Sequence, residues 1–318
     1  MILVTGGSGF IGSHVLDRLA GSGQPVRALV RRQTALPRGV EAVSGDLATG
    51  EGLAEAVRGA DTVIHVAGVI KALTPDDYYR GNTRATENLA RVAVGRGVTF
   101  IHVSSLAVCG PSPAQGTVDE DFEPRPLTHY GKSKWEAERI VRSLLPEAVI
   151  VRPAIVYGPR DKGVFPFWKS VSRGIVLQIA GGERWLSLIY VRDLVDGILA
   201  ASSSPRARGR TYFLSHAEPL NWSHLGDAAA RLMHSKPLVL RVPKSAAYAI
   251  GYMAEGWSAM TRRPGIVSRE KIAEATCARW VCDSRRAFAE LGFEAKTSLD
   301  AGLSETLAWY KEAGWVKY

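Results

Sequence analysis

Ile2-Leu3-Val4-Thr5-Gly6-Gly7-Ser8-Gly9-Phe10-Ile11-Gly12 opens the sequence, and its reading decides the fold. The apolar run Ile2-Leu3-Val4 has the composition of a buried parallel strand, and from Ile11 to Ala20 the apolar residues recur at helical spacing. The glycines between them satisfy both Gly-x-Gly-x-x-Gly and Gly-x-x-Gly-x-x-Gly. A strand, a glycine turn and a helix in that order let backbone approach a pyrophosphate at the helix N-terminus, where free N–H groups and the helix dipole favour negative charge. Gly6, Gly9, Phe10, Ile11 and Gly12 are therefore candidates to hold a dinucleotide.

Working outward, short apolar runs alternate with amphipathic stretches through the first half. Strands are predicted at Ile2 to Thr5, Val26 to Val30, Val40 to Ser44, Thr62 to Ala67, Phe100 to Ser104 and Ala148 to Arg152. Helices are predicted at Ile11 to Ala20, Leu53 to Arg58, Tyr78 to Val94 and Tyr130 to Leu144. This alternation is that of an α/β protein with a doubly wound parallel Rossmann sheet. After Pro153 the pattern loosens. Pro159, Pro166, Gly181-Gly182 and Pro205 cut the chain into shorter pieces, with a strand at Leu188 to Val191 and helices at Leu194 to Ser202, Trp222 to Met233 and Ala301 to Glu312. Residues 1–156 with about 185–215 are expected to form the NAD(P)-binding unit, and residues 157–184 with 216–318 a smaller α/β substrate-binding cap.

The second strand runs out at Leu29-Val30-Arg31-Arg32. A carboxylate there would accept hydrogen bonds from an adenosine ribose and repel a 2′-phosphate, whereas two guanidiniums clamp a phosphate. The expectation is NADP(H) in preference to NAD(H); two solvated surface arginines are the alternative. After the third strand come Gly45-Asp46-Leu47, where Asp46 is either an acceptor for the adenine amino group or a helix cap.

The formal charge is +9 and the sequence pI about 9.6. No dense Lys/Arg run accompanies it, which argues against nucleic acid and for small polyanions such as a phosphorylated cofactor. Cys109, Cys277 and Cys282 lack metal-ligand spacing and no secretory leader precedes them, so reduced thiols and a cytoplasmic location are expected. His65, His102 and the other histidines show no ligand-like clustering, and no metal is expected.

Tyr130-Gly131-Lys132-Ser133-Lys134 puts a phenol and an ammonium one helical turn apart. A nearby positive charge lowers a tyrosine pKa toward neutrality, which suits proton exchange, so Lys134 is expected to acidify Tyr130. Ser105 follows the Phe100 to Ser104 run, at the carboxyl end of the sheet where ligands of open α/β sheets lie. At these residues the chain resembles the extended short-chain dehydrogenase/reductases. Thr5 to Gly12, Asp46, His65-Val66-Ala67-Gly68, Asn82, Ser104-Ser105, Tyr130-x-x-x-Lys134 and Arg152-Pro153-Ala154-Ile155-Val156-Tyr157-Gly158-Pro159 stand in that family's order. The resemblance implies that Tyr130 is the general acid/base, that Lys134 binds the nicotinamide ribose, and that Ser105 orients the reacting oxygen. It further implies cofactor contacts at Ala67, Gly68 and Pro153, and a homodimer formed through helices like Tyr78 to Val94 and Tyr130 to Leu144. Asn82 is either near the site or a structural amide.

Two departures bear on the substrate. Leu186 stands where sugar-nucleotide members carry a diphosphate-binding arginine, with Arg184 as a substitute, and Cys109 replaces a common tyrosine. The stretch Pro243 to Met260 is mostly apolar and short of the roughly 18 uncharged residues that cross a bilayer. It either roofs a lipophilic pocket, contacts a membrane peripherally, or packs as an ordinary helix. The expected substrate is a lipophilic small molecule, a hydroxysteroid-like or long-chain keto compound, turned over by hydride transfer. A nucleotide-sugar epimerase, dehydratase or reductase with the same triad is the alternative.

Overall fold

The computed structural model describes residues 1–265 and 267–316. Its central sheet has seven strands: β1 Ile2–Thr5, β2 Val26–Val30, β3 Val40–Ser44, β4 Thr62–His65, β5 Thr99–Val103, β6 Val149–Pro153 and β7 Thr211–Leu214. They lie in the order β7-β6-β5-β4-β1-β2-β3, every pair parallel. The strand order reverses between β1 and β4. That reversal leaves a crevice at their carboxyl ends, where the glycine loop lies.

Both faces of the sheet are covered, which is why the strands read as continuous apolar runs. Leu3 points into a cluster with Leu53, Leu89, Phe100 and Val141. Its neighbour Val4 points the other way, toward Val15, Leu16, Leu194 and Ile198. A third cluster, with Trp168, Leu225, Leu303 and Tyr310, lies among the helices of the second half.

Three sequence expectations are corrected in detail. The first six strands form, but the fourth ends at His65 rather than Ala67, because the chain turns away into the Ala67-Gly68 segment. The single helix expected from Tyr78 to Val94 is three pieces: Pro75–Tyr78, a π-helical turn Tyr79–Arg84 and Ala85–Ala93. The wide turn carries the buried Asn82, whose amide accepts from the Val69 N–H at 2.7 Å and donates to the Val69 carbonyl at 3.1 Å and Ser133 Oγ at 2.9 Å. Those bonds make Asn82 a clamp between the 66–69 segment and the helix of Tyr130. Finally, β7 was not anticipated as a strand, although its residues fall in the stretch assigned to the sheet-bearing unit.

β4 and β5 are in register at His65 and His102, whose rings stand 5.4 Å apart in the buried interior. His65 is held by Thr5 Oγ1 at 2.7 Å and Thr86 Oγ1 at 2.9 Å, whereas neither ring nitrogen of His102 has a hydrogen-bond partner among the described residues. Burial first, and the Lys134 charge second, hold His65 down at about 3 and His102 well below its ordinary value. An imidazole that titrates near 6.5 when unfolded but not when folded gives stability that is complete above about pH 6.5 and is lost as pH falls. His102→Leu is accordingly expected to unfold at no lower urea concentration than the parent at pH 7, with an advantage that widens by pH 5. A narrowing gap between the two midpoints would contradict this.

Candidate active site

The glycine loop is shaped by close approach. Gly6 is in the left-handed region at φ 74°, and a Cβ there would lie 2.7 Å from the Ala67 nitrogen. A Cβ at Gly12 would run into the Gly6 carbonyl oxygen. Gly9 is the N-cap of helix Phe10–Ala20, with no side-chain cap and no acidic residue in the first turn. Backbone donors at the first turn are thus left uncovered by side chains, in a cradle that any Cβ would fill. This arrangement fits a dinucleotide pyrophosphate, with Phe10 and Ile11 in that first turn.

Arg31 and Arg32 follow β2 directly, are exposed, and make no ion pair or hydrogen bond through their side chains among the described residues. Asp46 caps no helix. Its Oδ1 accepts from the Ala48 N–H at 2.7 Å in a local turn, while the Leu47 carbonyl accepts from Asn88 at 2.8 Å.

Helix His129–Leu144 begins at Thr128, whose hydroxyl accepts from the Gly131 N–H at 3.2 Å. That cap fixes the start of the helix, so Tyr130 lies in its first turn and Lys134 one turn on. Lys134 is 3% exposed and its Nζ donates to the Val103 carbonyl at 2.8 Å. Burial lowers it to about 8, against the Glu138 carboxylate, which supports its charge. Gly68 belongs to the same wall: a Cβ there would sit 3.9 Å from Lys134 Nζ. Pro153, buried, closes β6.

Ser105 lies two residues past the end of β5. Its Oγ accepts from the Ala107 N–H at 3.1 Å, and its hydroxyl stands close enough to the Tyr130 phenol to favour the charged form. The structure therefore brings the predicted serine and tyrosine together, but it corrects the expected electrostatics. Burial raises the Tyr130 phenol above its ordinary value, the Ser105 hydroxyl opposes this, and the Glu274 carboxylate adds to the rise. The Lys134 ammonium donates one of its N–H groups to the Val103 carbonyl and is not among the groups that shift the phenol.

Sequence reasoning missed the helix Arg269–Thr276, which lies across the start of helix His129–Leu144. Glu270 accepts from the His129 N–H at 2.9 Å, and Thr128 donates to Glu274 at 3.2 Å. Lys271 Nζ stands 5.7 Å from the centre of the Tyr130 ring, and Tyr78 meets that ring edge-on at 6.4 Å. Nothing local in the sequence signals the contacts of Glu270 and Glu274, since they join residues 141 and 146 positions apart.

On the substrate side, Leu186 is buried in an apolar cluster with Leu106, Ala154, Phe213 and Trp280. Cys109 belongs to the same cluster, and burial pushes its thiol up to about 11. Arg184 does not replace the missing arginine. Its guanidinium donates to the carbonyls of Ala275 at 2.8 Å, Ile179 at 2.5 Å, Gly182 at 3.0 Å and Ala180 at 3.4 Å. Among the described residues no group of three or more His, Cys, Asp or Glu side chains is placed to hold a metal ion.

Residues 2–214 match the model of a family described as the NAD dependent epimerase/dehydratase family. The chain is 32% identical to a ceramide reductase of Caulobacter vibrioides over 99% of its length and 96% of the relative's. It is 27% identical to an N-acetyl-alpha-D-glucosaminyl-diphospho-ditrans,octacis-undecaprenol 4-epimerase of Escherichia coli O157:H7, over 97% and 94%. Among solved structures, MoeE5 in complex with UDP-glucose and NAD superposes with a TM-score of 0.79 at 26% identity, covering 98% of this chain and 99% of the other.

Behind Lys134 stands a fully buried ion pair. Arg152 donates to Glu138 at 2.7 and 3.0 Å, with side chains 4% and 1% exposed, and its guanidinium lies 5.6 Å from the Phe213 ring centre. Removing one partner leaves the other charge uncompensated, at a cost of roughly 3–5 kcal/mol. Glu138→Leu is expected to lose stability of that order in urea unfolding, and Glu138→Leu/Arg152→Met to regain most of it. A double variant no more stable than the single one would show that packing, not charge, sets the cost.

Proposed function

The chain belongs to the NAD dependent epimerase/dehydratase family, the extended short-chain dehydrogenase/reductases, and from that premise we propose that it is an NADP(H)-dependent oxidoreductase interconverting a ketone and an alcohol on a lipophilic substrate. The observation that carries the substrate class is the state of residues 184 and 186. Leu186 is buried among apolar side chains, and the Arg184 guanidinium is saturated by carbonyls. A sugar-nucleotide diphosphate would find no free guanidinium at either position. The ceramide reductase of Caulobacter vibrioides, named for a lipid substrate, supports the same reading.

Gly6, Gly9, Phe10, Ile11 and Gly12 would hold the pyrophosphate; Arg31 and Arg32 a 2′-phosphate; Asp46 and Leu47 the adenine side; and Ala67, Gly68, Lys134 and Pro153 the nicotinamide half. When bound, the nicotinamide supplies or accepts the hydride. The protein's own part is the proton. Because burial holds the Tyr130 phenol protonated at neutral pH, its resting form is an acid, the form that carbonyl reduction requires. Its O–H donates to the substrate oxygen as charge develops there, and Ser105 orients that oxygen through its hydroxyl. The Lys134 ammonium, complete below about pH 7 and half discharged near 8, supplies positive charge along this wall and a donor for a ribose hydroxyl.

Tyr130→Phe should retain cofactor affinity within a few-fold while kcat falls by about 10²–10⁴; intact turnover would remove the assignment. Arg31→Ala/Arg32→Ala should cut kcat/KM with NADPH by about tenfold or more and leave NADH nearly unchanged, since each phosphate clamp is a charge-assisted bond. A parent enzyme that prefers NADH would overturn the cofactor reading. Turnover followed by nicotinamide absorbance on long-chain 3-oxo compounds and hydroxysteroids, beside UDP- and dTDP-sugars, tests the substrate class; activity on the sugars alone would favour the epimerase or dehydratase reading.

A further inference from the structure

Helix Lys244–Thr261 has a covered edge and, round the helix from it, a long apolar stripe that is not covered. On the covered side Ala247 is buried, and a Cβ at Gly251 would sit 3.2 Å from Ile272 and 3.3 Å from the Arg269 nitrogen. The helix therefore rests backbone-close on helix Arg269–Thr276. On the other side Ile250, Met253, Trp257 and Met260 are 47%, 67%, 66% and 69% exposed. With the exposed Ala246 they follow at steps of four, three, four and three residues, one stripe along the whole helix. The preceding strand Leu238–Val242 enters the helix through Pro243, and its Leu238, Val239 and Leu240 are 64%, 45% and 39% exposed. Leu177, in register with Leu240 on the paired strand Ile175–Ile179, is 51% exposed. Single exposed apolar side chains are ordinary on a protein surface; a run of this length marks an interaction site.

Charge selects the occupant. The helix carries one acid, Glu255, which is turned away to accept from the Arg269 N–H at 2.8 Å and to pair with its guanidinium. Exposed Arg241 and Lys244 stand at one end of the stripe and exposed Arg262 and Arg263 at the other. None of these four makes an ion pair or hydrogen bond through its side chain among the described residues. A second copy packed symmetrically on this face would bring basic ends against basic ends, whether the two helices ran parallel or antiparallel, on a chain that already carries +9. An apolar stripe with a tryptophan, flanked by bases and free of acids, instead suits the headgroup boundary of an anionic lipid layer. Among the described residues no helix is long and apolar enough to cross a membrane, so the helix would lie in the plane.

We propose that the outward face of helix Lys244–Thr261, together with strand Leu238–Val242, docks on an anionic lipid bilayer. Behind this face comes helix Arg269–Thr276, and directly behind that the start of the catalytic helix, with Lys271 beside the Tyr130 ring. The docked face is thus one helix layer from the candidate reacting group, and a lipophilic substrate would have a short path from the lipid. This last step rests on the substrate class proposed above; the docking itself does not.

The test is co-sedimentation of the full chain with vesicles of phosphatidylcholine, with and without about 30% phosphatidylglycerol, at ionic strengths of roughly 0.1 and 0.5 M. Binding is expected to the anionic vesicles and to weaken with salt. Met253→Glu/Trp257→Glu and, separately, Arg262→Glu/Arg263→Glu should each weaken it by about tenfold or more, with circular dichroism and cofactor affinity unchanged because all four side chains are exposed. Light scattering runs alongside. No binding to anionic vesicles, binding that the variants do not weaken, or a parent dimer that Met253→Glu/Trp257→Glu dissolves without any vesicle binding would each overturn the proposal. Sedimentation needs neither substrate nor turnover. Failure to bind lipid by an enzyme that reduces lipophilic ketones would therefore count against docking alone, and binding without such turnover against the substrate class alone.

Discussion

An ammonium that is almost entirely out of water sets the terms for the rest of the site. Lys134 is 3% exposed, and one backbone carbonyl, that of Val103 at 2.8 Å, takes its hydrogen bond. Alone, burial of that kind would discharge the group near neutrality. Glu138, one turn further along the same helix, opposes this, and Glu138 is in turn neutralised by Arg152 of β6. The series Lys134, Glu138, Arg152 thus fastens the helix that carries Tyr130 to the strand that ends at Pro153. The same charge reaches across β5 and β4, where it helps keep His102 and His65 neutral. A fixed positive group on this wall is one that the fold must support from several elements at once.

The phenol answers to different forces. It stands one turn from the ammonium, yet burial and the Glu274 carboxylate hold it protonated, against the Ser105 hydroxyl. The site is accordingly not a standing base, and the acidic form is available without any change of state. Helix Arg269–Thr276 supports this region through three residues at once. Glu270 accepts from the first N–H of the catalytic helix, Glu274 takes the Thr128 hydroxyl, and Lys271 lies against the ring. Carboxylates near a helix N-terminus are favourable to the helix dipole, so Glu274, which also raises the phenol, and Glu270 both stabilise the turn that presents it.

How much of this was legible depends on whether a residue's partner is local. The glycine loop, the first six strands and the Tyr130-to-Lys134 spacing are properties of short windows, and period and turn chemistry are enough to read them. β7 was not readable because Thr211–Leu214 follows a stretch broken by Pro205 and Gly209. The π-helical turn at Tyr79–Arg84 escaped because its cause is Asn82 reaching Val69 and Ser133, the latter 51 residues away. The acidification expected of Tyr130 failed for a related reason. Spacing gives the distance along the helix, but not what the ammonium is already bonded to, nor how dry the phenol is.

The same distinction separates what the cap does from what its sequence suggests. Read as a string, Pro243 to Met260 is apolar enough to be an ordinary buried helix, and Arg184 is a cation near a substrate strand. In the fold the roles exchange. Arg184 is consumed internally, its guanidinium tying the 179–182 turn to the end of helix Arg269–Thr276, so it is a structural group that stiffens the support of the site. The long helix, by contrast, uses its small residues Ala247 and Gly251 to come close to that support, which leaves its large ones, Met253, Trp257 and Met260, outside. Small side chains face the protein and large ones face away, the reverse of what burial alone would select. A surface built in that sense favours an apolar partner, and the positive charges at both ends suit the anionic lipid layer proposed above.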